Sequence, residues 1–156
     1  MASLTLNGLT VEYAQYGAGP DLLLVHSLLT EMSVFEKVLA DLSEARRVTT
    51  INLPGFGASS PAELNSVGAV ADHVAAVMAA LKLPDSTDVF ANGFGAFVAL
   101  ELAIRHGGKF RRLLVADCVP AFPEAGRAPF RGMAQKVRTE GMGAVLDAAI
   151  GRMFPP

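Results

Sequence analysis

The chain has 156 residues, 51% apolar and 18% charged, with a formal net charge of −2. That length fits one ordinary domain burying roughly 68–70% of its unfolded surface, and the composition excludes intrinsic disorder, which needs few apolar residues and a large net charge. Thirteen Lys plus Arg against fifteen Asp plus Glu leave no basic stripe to neutralise phosphates, which argues against nucleic acid as a partner.

In chain order, residues 3–6 and 11–16 flank Asn7-Gly8, a hairpin signal because both turn positions must accept φ > 0. Residues 22–25 form a short continuous apolar run, as expected of a strand covered on both faces. Residues 47–53, 88–91 and 112–116 read as three further strands. Helical patterns fall between them. Ser33 with Glu36 makes a capping box ahead of Val34, Val38, Leu39 and Leu42 on one face. Val70, Val74, Val77, Met78 and Leu81 give a second amphipathic helix, ending before Pro84. Residues 94–106 are apolar nearly all round and predict a buried helix closed by Gly107-Gly108. Strands alternating with helices predict a parallel sheet with helices on both faces. Pro120, Pro123, Gly126 and Pro129 predict a loop. Two short helices follow, marked by Phe130, Met133, Ala134 and Val137, then by Met142, Val145, Leu146, Ala149, Ile150 and Met153, with Gly141 and Gly143 between them.

No apolar run approaches the ~20 residues of a membrane span. The first seven residues lack the basic start and apolar core of a signal peptide, so the expectation is a soluble cytoplasmic domain. Cys118 is the single cysteine, so the chain has no internal disulfide and no CxxC or zinc pattern. Gly55-Phe56-Gly57 belongs to neither a GxxxxGK[ST] nor a GxGxxG. The expectation is no metal and no cofactor.

Three segments carry more information. His26-Ser27-Leu28 follows the third predicted strand, residues 52–60 the fourth, and Ala91-Asn92-Gly93-Phe94-Gly95 the fifth. With the order of elements from the hairpin to Asp117, they resemble the α/β-hydrolase superfamily, in the version seen in 3-oxoadipate enol-lactonases and their neighbours. Leu29 stands where those enzymes often carry glycine. The resemblance implies an α/β three-layer sandwich with a mostly parallel sheet, lacking its last strands. Residues 1–119 would form the core with its first six strands and residues 120–156 the start of the lid helices, with the chain ending before the C-terminal part of the core. The sixth strand would then be a sheet edge, open to a second copy or another chain.

The resemblance also places the family's nucleophile elbow, Gly-x-Ser-x-Gly, over residues 91–95. Gly93 then sits at the nucleophile position, with no hydroxyl, thiol or carboxylate to form a covalent intermediate. Backbone N–H groups of Leu28 and Phe94 would form the oxyanion hole, and Phe94 opens a helix whose first amides carry partial positive charge. His26, Ser27 and Asn92 would line the substrate site, with His26 also readable as a loop-holding residue. Asp117, after the sixth strand, is a candidate acid beside a structural reading. His106 lies ~18 Å along the helix from the elbow, far beyond the ~3 Å a general base needs, and reads as a helix C-terminal residue. His73 reads as solvent-facing, Ser59 and Ser60 as turn or cap residues, and Cys118 as packing.

Three functions follow. The first is hydrolysis of a small ester- or lactone-type carbonyl compound by the parent protein, with this chain inactive by the serine route. The second is a non-catalytic binding or scaffold role, as in the N-myc downstream-regulated proteins. The third is nucleophile-independent oxygenase or lyase chemistry that needs a His–Asp pair from a C-terminal part.

Overall fold

The computed structural model describes residues 1–119, 121 and 123–153. Pro120, read above as part of a loop, lies outside the described residues. The chain divides into two compact units, Met1–Cys118 and the residues from Val119 onward.

The first unit opens with β1 (Ala2–Leu6) and β2 (Leu9–Tyr16), an antiparallel pair. Their turn carries Asn7 at φ 51° and Gly8 at φ 80°, the two positive values the dipeptide predicts. Then come β3 (Asp21–Val25), α1 (Glu36–Ser43), β4 (Arg47–Ile51), α2 (Val67–Ala80), β5 (Asp88–Asn92), α3 (Phe94–His106) and β6 (Arg112–Ala116). The sheet order is β1-β2-β4-β3-β5-β6. β2 pairs antiparallel with β4, and the β4/β3, β3/β5 and β5/β6 pairs are parallel. β6 is thus an edge strand of this sheet.

Alternation along the strands builds two cores. Leu23, Val25, Val89, Ala91, Leu113 and Val115 join the apolar residues of α2 and α3 on one face. Leu22, Leu24, Val48 and Phe90 turn to the other face and meet Phe35, Leu39 and Leu42. The second face is the thinner one. Beside α1 runs a groove of about 530 Å³ lined by Leu24, Phe35, Val38, Phe90 and Leu114 among others, and Leu114 is 65% exposed.

The second unit holds α4 (Glu124–Glu140), a 3-10 turn over Met142–Val145 and α5 (Leu146–Met153). No helix of the described residues is long and apolar enough to cross a membrane.

Several local expectations need correction. The Ser33/Glu36 capping box does not form, because residues Met32–Phe35 make a 3-10 turn and the Ser33 hydroxyl bonds Glu31 Oε1 instead of a backbone amide. The predicted loop around Pro129 is helix. Pro129 sits inside α4, where it removes one N–H and so one intrahelical bond, yet the turns on either side carry the helix through. Glycines 107 and 108 do not simply stop α3 but extend it as a 3-10 turn through Lys109. α3 is also not buried all round, since Ile104 is largely exposed. His73 is half-buried rather than solvent-facing, and burial lowers its pKa.

At the N-terminal ends of the strands, Asp88 accepts hydrogen bonds from Arg111 (Nε 3.1 Å, Nη2 2.9 Å) and from Arg46. The Arg111 bonds, aided by Arg46 against the cost of burial, hold the Asp88 carboxyl at a pKa of about 2 instead of 3.8. A carboxyl whose pKa is lower folded than unfolded stabilises the fold fully above its unfolded value and loses that stabilisation as pH falls towards its folded value. The thermal stability of the unsubstituted chain is therefore expected to fall between pH 4 and pH 2. An Asp88→Asn variant should melt lower at pH 7 and lose less on acidification across that window; equal pH slopes would refute the assignment.

Candidate active site

The segment after β3 is fixed from below. His26 is fully buried. Its Nε2 accepts the Leu53 N–H at 3.0 Å, so the ring proton sits on Nδ1, which lies 2.8 Å from the Ser27 carbonyl oxygen and donates to it. The ring meets Phe56 edge-on at 4.8 Å. Burial is the main influence on its pKa and lowers it, so His26 is held neutral. With both nitrogens engaged inside the protein, His26 ties the loop after β3 to the loop after β4.

That second loop has its own bracket. Asn52 is buried; its Oδ1 accepts the Met32 N–H at 2.8 Å and its Nδ2 donates to Glu12 Oε2 at 2.7 Å. The same carboxylate oxygen accepts the Ala58 N–H at 2.7 Å. Ser59 Oγ donates to the Asn52 carbonyl and accepts the Glu12 N–H, while Ser60 Oγ accepts the Thr10 N–H. These groups join β2, β4 and the Gly55–Gly57 turn, where a Cβ on Gly57 would stand 2.0 Å from Asn52 Nδ2.

The turn from β5 into α3 is the centre of the site. Gly93 has φ 53° and ψ −120°, a conformation that favours glycine. Its N–H donates to the Ala116 carbonyl at 3.1 Å and its carbonyl accepts the Ala96 N–H at 3.1 Å. Two residues on, a Cβ added to Gly95 would lie 2.5 Å from the His26 carbonyl oxygen and 2.6 Å from that of Val25. α3 therefore starts directly against the β3 backbone. The Phe94 N–H donates to Ser27 Oγ at 3.2 Å, bringing the loop after β3 onto the elbow.

Of the residues singled out from sequence, Ser27, Phe94 and Gly93 come together here. Asn92 precedes them, and its Oδ1 is buried without a hydrogen-bond partner among the described residues. Leu28 is 39% exposed beside Ser27. Leu29 has φ 62°, in the left-handed region that glycine adopts without steric cost. Asp117 is exposed, at φ 53°, next to the Ala116 carbonyl that holds Gly93. His26 lies beneath the loop rather than lining open space. His106 Nε2 is 2.7 Å from Asp72 Oδ1, in a pair shared with Arg105 between α2 and α3. Sequence reasoning missed the reach of Ser27 to the helix start. The signal that could have found it is a small hydroxyl residue in one loop combined with glycine at the elbow apex.

His26→Ala should destabilise the chain by about 1–3 kcal/mol through the orphaned Leu53 N–H alone. The parent should lose stability as pH falls below about 6.5, since a histidine with a lowered folded pKa resists the proton that the unfolded chain accepts. In urea unfolding, His26→Ala should show a smaller loss between pH 7.5 and 5.5, the remainder coming from His73. An identical loss would refute the buried neutral ring.

The chain is similar to known proteins. A family model described as alpha/beta hydrolase fold matches residues 20–136. The pimeloyl-[acyl-carrier protein] methyl ester esterase of Aeromonas hydrophila is 31% identical over 131 residues, covering 83% of this chain and 49% of that protein. The 3-oxoadipate enol-lactonase 2 of Acinetobacter baylyi is 27% identical over 157 residues, covering 99% of this chain and 58% of that protein. The crystal structure of the enol-lactonase from Burkholderia xenovorans superposes with a TM-score of 0.84 at 25% identity, over 97% of this chain and 59% of that one. The chain thus spans about half the length of the curated relatives it matches. On the family match over most of its length, the chain belongs to the alpha/beta hydrolase family.

Proposed function

We propose that the chain is the N-terminal part of a hydrolase that takes a small ester- or lactone-type carbonyl substrate, and that alone it forms no acyl intermediate at its elbow. The observation that carries this reading is Gly93. The backbone there has the turn that lifts a side chain above the sheet, and the residue has no atom with which to attack. The substrate class rests on the esterase and lactonase relatives. Asp117 is the candidate acid in this reading, and the base comes from outside the chain, because His26 and His106 are both committed to internal partners and His73 lies within α2 rather than in a loop of the site. In the same reading further polypeptide docks at the β6 edge and over the groove beside it, either continuous with this chain or as a second copy.

A non-catalytic, ligand-binding role is the second reading. It is favoured by the Phe94 N–H, the amide assigned to the oxyanion hole, being already bonded to Ser27 Oγ.

Mixing the chain with p-nitrophenyl acetate and following nitrophenolate release tests the first reading. The expected trace has no burst and a slope no steeper than that of an unrelated protein at equal concentration. A burst stoichiometric with the chain would overturn it. Calorimetric binding of a small lactone without turnover would select the second reading.

A further inference from the structure

The face of the sheet that carries α1 is only half covered. A parallel sheet buries both faces, and helices are what cover them. On this face the residues around α1 meet Leu22, Leu24 and Val48 of β3 and β4. Over β5 and β6 the groove of about 530 Å³ remains. Phe90 meets the ring of Phe35 edge-on there, with centroids 6.1 Å apart. Leu114 of β6 and Val38 of α1 stand 65% and 46% exposed beside them. β5 and β6 have five residues each. That is ~17 Å of strand, the length of about eleven residues of helix.

The groove is otherwise apolar but cationic at one end. Among the described residues that line it, the charged ones are Arg46, Asp88 and Arg112. Asp88 and Arg112 are register partners at the first positions of β5 and β6. Asp88 is already shared by Arg46 and Arg111. Arg46 Nε is buried with no hydrogen-bond partner among the described residues. Arg112 is exposed and makes no ion pair or side-chain hydrogen bond among them. Three guanidinium groups thus stand around one carboxylate. A buried N–H without an acceptor is costly, and a guanidinium fork is best met by a second carboxylate.

We propose that this groove seats one amphipathic helix from further polypeptide of the same protein, and that the helix carries an aspartate or glutamate pairing with Arg46 and Arg112. The inference rests on the functional reading above and gives its docking element a length, an apolar face and a charge. A strand added at the β6 edge would leave the sheet face and Arg46 uncovered, whereas a helix lying along β5 and β6 covers both. The same protein is the source because the chain spans about half the length of the curated relatives it matches.

The test uses the full chain and two helix-stapled peptides of about eleven residues. Both carry an apolar stripe at helical spacing, and they differ only in a glutamate or a lysine on that face in one terminal turn. By fluorescence anisotropy the glutamate peptide should bind about fivefold more tightly or better, with the margin shrinking in high salt. Arg112→Glu should reverse the order, and Leu114→Ser should weaken both peptides. Both positions are exposed, so each variant should keep a cooperative melt. Equal affinity of the two peptides, binding of neither, an order unchanged in Arg112→Glu, or no effect of Leu114→Ser would overturn the proposal. A chain that dimerises by itself, with the dimer lost in Arg112→Glu, would give the groove to a second copy and overturn it too. None of these measurements involves turnover. Their failure leaves the acylation reading standing, and a nitrophenolate burst would sink that reading without touching the groove.

Discussion

Helix α3 begins so close to β3 that a single methyl group at Gly95 would collide with two main-chain carbonyl oxygens, those of Val25 and His26. Everything about the site follows from that approach. The chain must leave β5 and enter the helix in one sharp turn, which puts residue 93 at positive φ. A residue with a side chain holds such a conformation only at a cost repaid elsewhere. Glycine holds it freely. The turn therefore needs no side chain at residue 93 to hold its shape.

The frame around the turn is equally independent of catalysis. His26 ties two loops through its ring nitrogens, and Asn52, Glu12 and Ser59 tie the second loop back to β2. All of these are hydrogen bonds in buried or half-buried surroundings, where leaving a partner unmade costs more than making the bond gains. Such a frame keeps its shape whether or not a reaction occurs on it. Leu29, in the loop after β3, and Asp117, directly after β6, hold positive φ without being glycine, as do Asn7 and Lys82 in other turns.

Much of the fold was legible because its causes are local. The Asn7-Gly8 turn, the apolar run in β3, and the amphipathic spacing of α2 each state their conformation within a few residues. The strand after α3 was expected at a sheet edge only through the family resemblance, and in this sheet it lies at the edge. What misled were signals with a local competitor. Ser33 and Glu36 have the capping spacing, but Glu31 takes the serine hydroxyl. Pro129 reads as a breaker, yet one missing N–H does not undo a helix of 17 residues. The site divides the same way. Gly93 stood out against a motif, while the contact of Ser27 with Phe94 depends on how two distant loops meet, which no spacing encodes.

The account centres on the glycine turn at residue 93 and on the Ser27 hydroxyl that meets the Phe94 amide beside it. The most direct measurement is the nuclear Overhauser effect between the Phe94 amide proton and the Ser27 β-protons in solution. The account predicts a clear cross-peak, together with couplings at Gly93 that report positive φ. Absence of that cross-peak in the folded chain, with Ser27 turned away from α3, would contradict it.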